Sequence, residues 1–222
     1  MPAQTVKKTL YLGPCFERFA GRENVLHYPV IRLIPAKPED LPVRFCLDRL
    51  SLFSHVLVTS QNSVSILWDL CASLFLDPVD LLRGKCISIG PVTSQALQSR
   101  GVEPFLEASD STQEGMIYAL QKSSQFASYV FYPRSSLARP VLRDYLLQQK
   151  ISHEILDLYE TVYQVLEPKP SLEEIEEIFF TSPSTVEGFF RIFPKIPSAI
   201  RCSFQGSITQ RCFEEKCKKL KM

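Results

Sequence analysis

The chain has 222 residues, 45% of them hydrophobic and 22% charged, with a formal net charge of +1. This composition excludes a disordered or fibrous chain, and the near-neutral balance offers no overall basic field for nucleic acid. The apolar runs fall short of a membrane span, and the run after Lys7 and Lys8 is too short for a signal-peptide core, so a cytoplasmic protein with no membrane partner is expected.

Thr9 to Gly13 reads as a first short strand, and Gly13-Pro14 turns it into a brief helix near Cys15 to Ala20. Val25 to Ile34 is a second extended run, ending at Pro35. Pro38, Glu39 and Asp40 open a helix with acids in its first turn, as the helix dipole favours. The β-branched apolar run His55 to Val58 predicts a buried parallel strand, with His55 as a core histidine. Thr59-Ser60 follows. A helix then places Val64, Leu67, Trp68, Cys71, Leu74 and Phe75 on one apolar stripe. Cys86 to Ile89 is the next strand, and Gly90-Pro91-Val92-Thr93 leads into a helix with Ala96 and Leu97 inward. Gly101 stops that helix. Val102 to Phe105 reads as a short strand, and Thr112 as the N-cap of a helix burying Met116, Ala119 and Leu120.

The second half begins at Ser128 with a strand over Tyr129 to Tyr132, then Pro133-Arg134-Ser135-Ser136 and a helix burying Leu137, Val141, Leu142 and Leu146. Ile151 to Leu158 is extended and continues into Tyr159-Glu160-Thr161-Val162. After an acidic stretch, Ile178-Phe179-Phe180-Thr181-Ser182-Pro183 repeats the strand and hydroxyl pair, with Ser182 as N-cap and Pro183 as first helical residue. Val186, Phe189, Phe190 and Phe193 form its apolar stripe. A last strand, Ala199 to Phe204, meets Gly206-Ser207-Ile208-Thr209, echoing Gly90-Pro91-Val92-Thr93.

Alternating strands and helices imply parallel sheets, and the repeated sentences imply two domains. Residues 37–157 are expected to form one continuous domain, and residues 1–33 with 167–222 a discontinuous one. Extended crossings near 28–36 and 158–166 would join them, with a ligand cleft between. The recurrent chemistry is hydroxyls at strand-to-helix turns: Thr59, Ser60, Thr93, Thr112, Ser135, Thr181, Ser182 and Thr209. Each alone is more often an N-cap than a ligand contact. Together, with free N–H groups and helix dipoles, they suit a ligand with many carboxylates. Arg134 and Arg139 could meet such carboxylates or be solvated, and Tyr159 is either a proton donor or an aromatic packed at a crossing. Seven dispersed cysteines without a C-x-x-C pair fit reduced thiols, and no metal site is expected.

These residues resemble the uroporphyrinogen-III synthase family over nearly the whole chain. The resemblance rests on Val58-Thr59-Ser60 with Val64, on Ile89-Gly90-Pro91-Val92-Thr93 with Ala96-Leu97, and on Tyr159-Glu160-Thr161-Val162. Phe180-Thr181-Ser182-Pro183-Ser184 and Gly206-Ser207-Ile208-Thr209 complete it. It implies two flavodoxin-like parallel α/β domains joined by a two-stranded hinge, acting as a monomer with no cofactor or metal. The implied reaction is loss of water from hydroxymethylbilane, attack of the azafulvene at the substituted carbon of the last ring, and ring inversion through a spiro intermediate. Tyr159 matches the hinge tyrosine that assists hydroxyl departure. Relative to the family, the discontinuous domain is expected to lack its last strand and helix, and Ser207 stands where a proline is usual. The alternatives are a non-catalytic binder of a polycarboxylate ligand and an α/β interaction module.

Overall fold

The computed structural model describes residues 8–15, 21–122 and 128–220. Of the brief helix expected at Cys15 to Ala20, all but Cys15 lies outside the described residues. The chain divides into two compact units: residues 34–160, and residues 1–33 together with 161–222.

The continuous unit holds a six-stranded sheet in the order β3-β8-β7-β4-β5-β6. Its strands are β3 (Ile31–Pro35), β4 (His55–Val58), β5 (Cys86–Ser88), β6 (Leu106–Glu107), β7 (Tyr129–Ser135) and β8 (Ser152–Tyr163). From β4 the chain winds outward to β5 and β6, then returns to the other side of β4 through β7 and β8. The β4–β5, β5–β6, β4–β7 and β7–β8 pairs are all parallel. The order therefore reverses between β4 and β7, the switch point at which open α/β sheets leave a crevice beyond their strand ends. Leu57, Ile87, Val130 and Tyr132 form a core with Met116 and Leu120 of α5 (Gln113–Lys122) and Leu142 and Leu146 of α6 (Val141–Gln148). Val56 and Val58 alternate to the opposite face and are equally buried. Burial of both faces is why His55–Val58 reads as a continuous apolar run. The two remaining long helices, α2 (Gln61–Ser73) and α4 (Pro91–Gln98), pack against each other. Two short helices, α1 (Leu41–Leu47) and α3 (Pro78–Leu82), connect the strands.

The discontinuous unit holds a four-stranded parallel sheet, β10-β9-β1-β2. Its strands are β1 (Lys8–Tyr11), β2 (Val25–His27), β9 (Ile175–Phe180) and β10 (Arg201–Phe204). Its core joins Leu10, Leu12, Val30, Ile178 and Phe180 with Val186 and Phe189 of α7 (Pro183–Ile192). Phe213 of α8 (Ser207–Leu220) packs on it, its ring 5.3 Å from that of Phe180. Gly188 lets α7 lie close to the chain at Val30, because an added Cβ would meet Val30 Cγ2 at 2.9 Å and its carbonyl oxygen at 3.0 Å. The chain passes between the units inside β3 and inside β8, which are neighbours in the six-stranded sheet.

Three local expectations are corrected. The strand expected at Val102 to Phe105 forms instead at Leu106–Glu107, as β6, just after Phe105 packs its ring on His55, centroids 5.4 Å apart. Phe75 is 98% exposed rather than on the α2 stripe. The helix has already ended there: Phe75 adopts φ +58°, its N–H donating to the Ala72 carbonyl and that of Leu76 to Cys71. Leu137, expected inside, lies in the turn before α6 and is exposed.

Candidate functional site

The carboxyl end of β4 delivers Thr59 and Ser60 to the amino end of α2. Ser60 caps that helix, its Oγ accepting from the Ser63 N–H at 3.0 Å and lying 2.9 Å from Ser63 Oγ. The same Oγ lies 3.3 Å from the Tyr159 phenol oxygen. Tyr159 reaches this position because the β7–β8 register slips between Arg134 and Ser135. Arg134 pairs with Asp157, but Ser135 pairs with Tyr159, skipping Leu158. Such irregularities re-aim side chains at sheet rims. Ser136 N–H donates to the Tyr159 carbonyl at 3.0 Å, and Tyr159 is only 6% exposed. Thr59, Ser60, Ser135 and Tyr159 therefore converge at the switch point between β4 and β7.

Other hydroxyls are placed differently. The Thr112 hydroxyl donates to Asp110 Oδ1 at 2.8 Å and accepts from Gly115 N–H at 3.0 Å, so its hydrogen is committed. Thr93 lies one turn into α4 and is buried. The Gly90 turn that carries it packs on the Thr112 turn, since a Cβ at Gly90 would clash with Ser111 Oγ. In the discontinuous unit Ser182 caps α7 in a capping box with Thr185. The Thr181 methyl stands 3.0 Å from where a Cβ on Gly13 would be, joining the β1 and β9 turns. Thr209, in the first turn of α8, is buried like Thr93.

Both arginines are ion-paired. Arg134 Nε donates to Asp157 at 2.9 Å, and Arg139 grips Glu114 with two hydrogen bonds of 2.7 Å. That pairing holds the Arg139 guanidinium above its ordinary range. A carboxylate beside the Thr93 turn went unanticipated: Glu107 accepts from Ser94, whose Oγ is 2.6 Å from Ser88 Oγ. Also missed was Gln113, buried between Tyr132 and the amino end of α6. Its signal was present, since a glutamine three and seven residues before Met116 and Leu120 is a polar residue on an apolar stripe.

Other chemistry-bearing groups lie in the core of the continuous unit. Burial lowers the His55 pKa, and its Nδ1 is 3.2 Å from Ser54 Oγ. Burial also pushes the Cys71 and Cys86 thiols up to about 12, which leaves them unreactive. Among the described residues, no cluster of three or more His, Cys, Asp or Glu could hold a metal ion, and no helix is long and apolar enough to cross a membrane.

Hydroxyl-bearing turns and a tyrosine at the carboxyl ends of parallel strands, with the turns recurring in both units, define a two-unit α/β protein. The chain belongs to the uroporphyrinogen-III synthase family: the family described as uroporphyrinogen-III synthase HemD matches residues 19–216. A porphyrin biosynthesis protein HemD from Ruminiclostridium josui is 29% identical over 190 residues, 81% of this chain; the match spans 36% of that longer protein. A mutant uroporphyrinogen III synthase of Thermus thermophilus shares the fold with a TM-score of 0.64 at 18% identity, over 95% of this chain and 89% of that one. The uroporphyrinogen-III synthetase of Helicobacter pylori does so with 0.60 at 17% identity, over 95% and 89%.

Proposed function

We propose that this chain closes hydroxymethylbilane into uroporphyrinogen III with inversion of the last pyrrole ring, as a lyase of tetrapyrrole biosynthesis. In this reading it works as a cytoplasmic monomer, without a cofactor and without nucleic acid or membrane partners. One observation carries the reading beyond the family match: the Ser60–Tyr159 hydroxyl pair at the switch point. The Tyr159 phenol donates its proton to the departing hydroxyl, which leaves as water. The azafulvenium cation that remains is attacked by the substituted carbon of the last ring, and the proton shed when the macrocycle closes restores the phenol. The spiro intermediate then opens and recloses with that ring inverted. Thr59, Ser60, Ser135, Thr181 and Ser182, with the N–H groups at their helix starts, receive the substrate carboxylates. Thr93, Thr209 and Thr112 set the shape of their turns, and Arg134 supports the rim through Asp157. The substrate is reactive by itself, so holding it folded is most of the task.

The test is to incubate the protein with hydroxymethylbilane and separate the ring isomers. Type III in excess over the type I formed spontaneously supports the proposal. Type I alone, with tight binding of the product, would indicate a non-catalytic polycarboxylate binder. Neither turnover nor binding would leave an interaction module.

A further inference from the structure

The two copies of the strand-to-helix turn differ in where their last hydroxyl goes. In Ser182-Pro183-Ser184-Thr185 the Thr185 hydroxyl is spent on the backbone. Its Oγ1 accepts from the Thr181 and Ser182 N–H groups, each at 3.1 Å, and donates to the Ser182 carbonyl at 2.7 Å. The Ser182 hydroxyl turns to Ser184 Oγ, 2.9 Å away. In Ser60-Gln61-Asn62-Ser63 the residue at the corresponding place is Ser63, which is 1% exposed. Its Oγ lies 2.9 Å from Ser60 Oγ, and Ser60 Oγ lies 3.3 Å from the Tyr159 phenol oxygen. Ser63, Ser60 and Tyr159 therefore stand in a row of hydroxyls that ends on the tyrosine.

Counting hydrogens fixes how that row runs during the reaction. Ser60 Oγ carries one hydrogen and two lone pairs. One lone pair accepts from Ser63 N–H at 3.0 Å. The hydrogen and the other lone pair serve its two hydroxyl neighbours. When the phenol hydrogen points at substrate, Tyr159 can only accept from Ser60, and Ser60 can then only accept from Ser63 Oγ. We infer that Ser63 is a positioning residue for the proposed reaction: acting through Ser60, it aims the Tyr159 hydrogen at the departing hydroxyl and supports the phenolate left behind. The inference rests on the proposed function and refines the part of Ser60 in it. Once the proton has left, the single Ser60 hydrogen belongs to the phenolate, and a carboxylate at this turn is held by Thr59 and the N–H groups of α2. No proton moves along the row. The Tyr159 O–H bond breaks, its proton joins the departing hydroxyl as the C–O bond breaks, and both serines keep their hydrogens. A hydrogen bond to an ionised oxygen is shorter and about twice as strong as a neutral one. The 3.3 Å contact thus tightens as charge develops, and its effect falls on rate rather than on binding.

The experiment is a double-mutant cycle on type III formation from hydroxymethylbilane, using wild type, Ser63→Ala, Tyr159→Phe and the double variant. Ser63→Ala removes one oxygen and leaves the N–H that Ser60 caps, so the helix start is kept. It should lower kcat about fivefold, the scale of one hydrogen bond, with KM little changed and the share of type I product raised. In the Tyr159→Phe background it should add nothing, because the row no longer ends on a proton donor. An unchanged kcat in Ser63→Ala, a loss confined to KM, or an equal loss beside Tyr159→Phe overturns the row while the function stands. A wild type that makes no type III isomer overturns both.

Discussion

At Tyr159 a single oxygen separates a proton donor from a packed aromatic ring. Its place beside Ser60 and opposite Ser135 makes Tyr159→Phe the direct comparison, since the ring stays and only the donor leaves. The rate should fall on the order of 10²-fold, within the usual range for such helpers. The share of type I product should rise as spontaneous closure competes, with circular dichroism unchanged. Ser182→Ala isolates the other role a turn hydroxyl can have. It removes half of a capping box and should cost about 1 kcal/mol in a denaturant melt. Capping was legible in the sequence, because a serine ahead of an apolar period satisfies helix N–H groups wherever it occurs. The arginine partners were not. Asp157 and Glu114 lie 23 and 25 residues from the arginines they hold, and only the fold brings them together.

Helix ends show what periodicity cannot reveal. Phe75 falls at helical spacing with Cys71 and Trp68, so pattern alone extends α2 through it. The chain instead leaves the helix with Phe75 in the left-handed region at φ +58°, and Lys150 does the same after α6 at +54°. Gly101 fills the corresponding place after α4 without strain. Phe75→Gly should therefore raise stability by about 0.5–1 kcal/mol in a denaturant melt, despite removing a large apolar side chain. Gly188→Ala should act in the opposite direction, costing about 1–3 kcal/mol, because the new methyl meets Val30 at the α7 contact. The strands were legible where burial on both faces left an unbroken apolar run, as in β4. Two-residue β6 carries no such run, so its position was not legible in the pattern.

On the scale of the molecule, the duplicated turns were the readable feature, because each marks a strand that ends at a helix start. The reversal of strand order between β4 and β7 was not readable, as it depends on which strand pairs with which. Residues 34–160 contain β4 to β7 whole and most of β8, with their own core, so this segment expressed alone should fold. A cooperative thermal transition would show this. The segment should not convert hydroxymethylbilane to the type III isomer, since it carries only part of the proposed donor set.

The engaged arginines also bear on how the protein should respond to salt. With Arg134 and Arg139 paired to their own carboxylates and a net charge of only +1, these two side chains add little long-range attraction for an anion. Recognition of a polyanion would fall to hydroxyls and peptide N–H dipoles, whose pull fades well inside a Debye length of about 10 Å at 0.1 M ionic strength. KM for hydroxymethylbilane should then shift less than about threefold between low salt and 0.3 M potassium chloride. A steep rise with salt would mean that unpaired cations elsewhere on the chain gather the substrate.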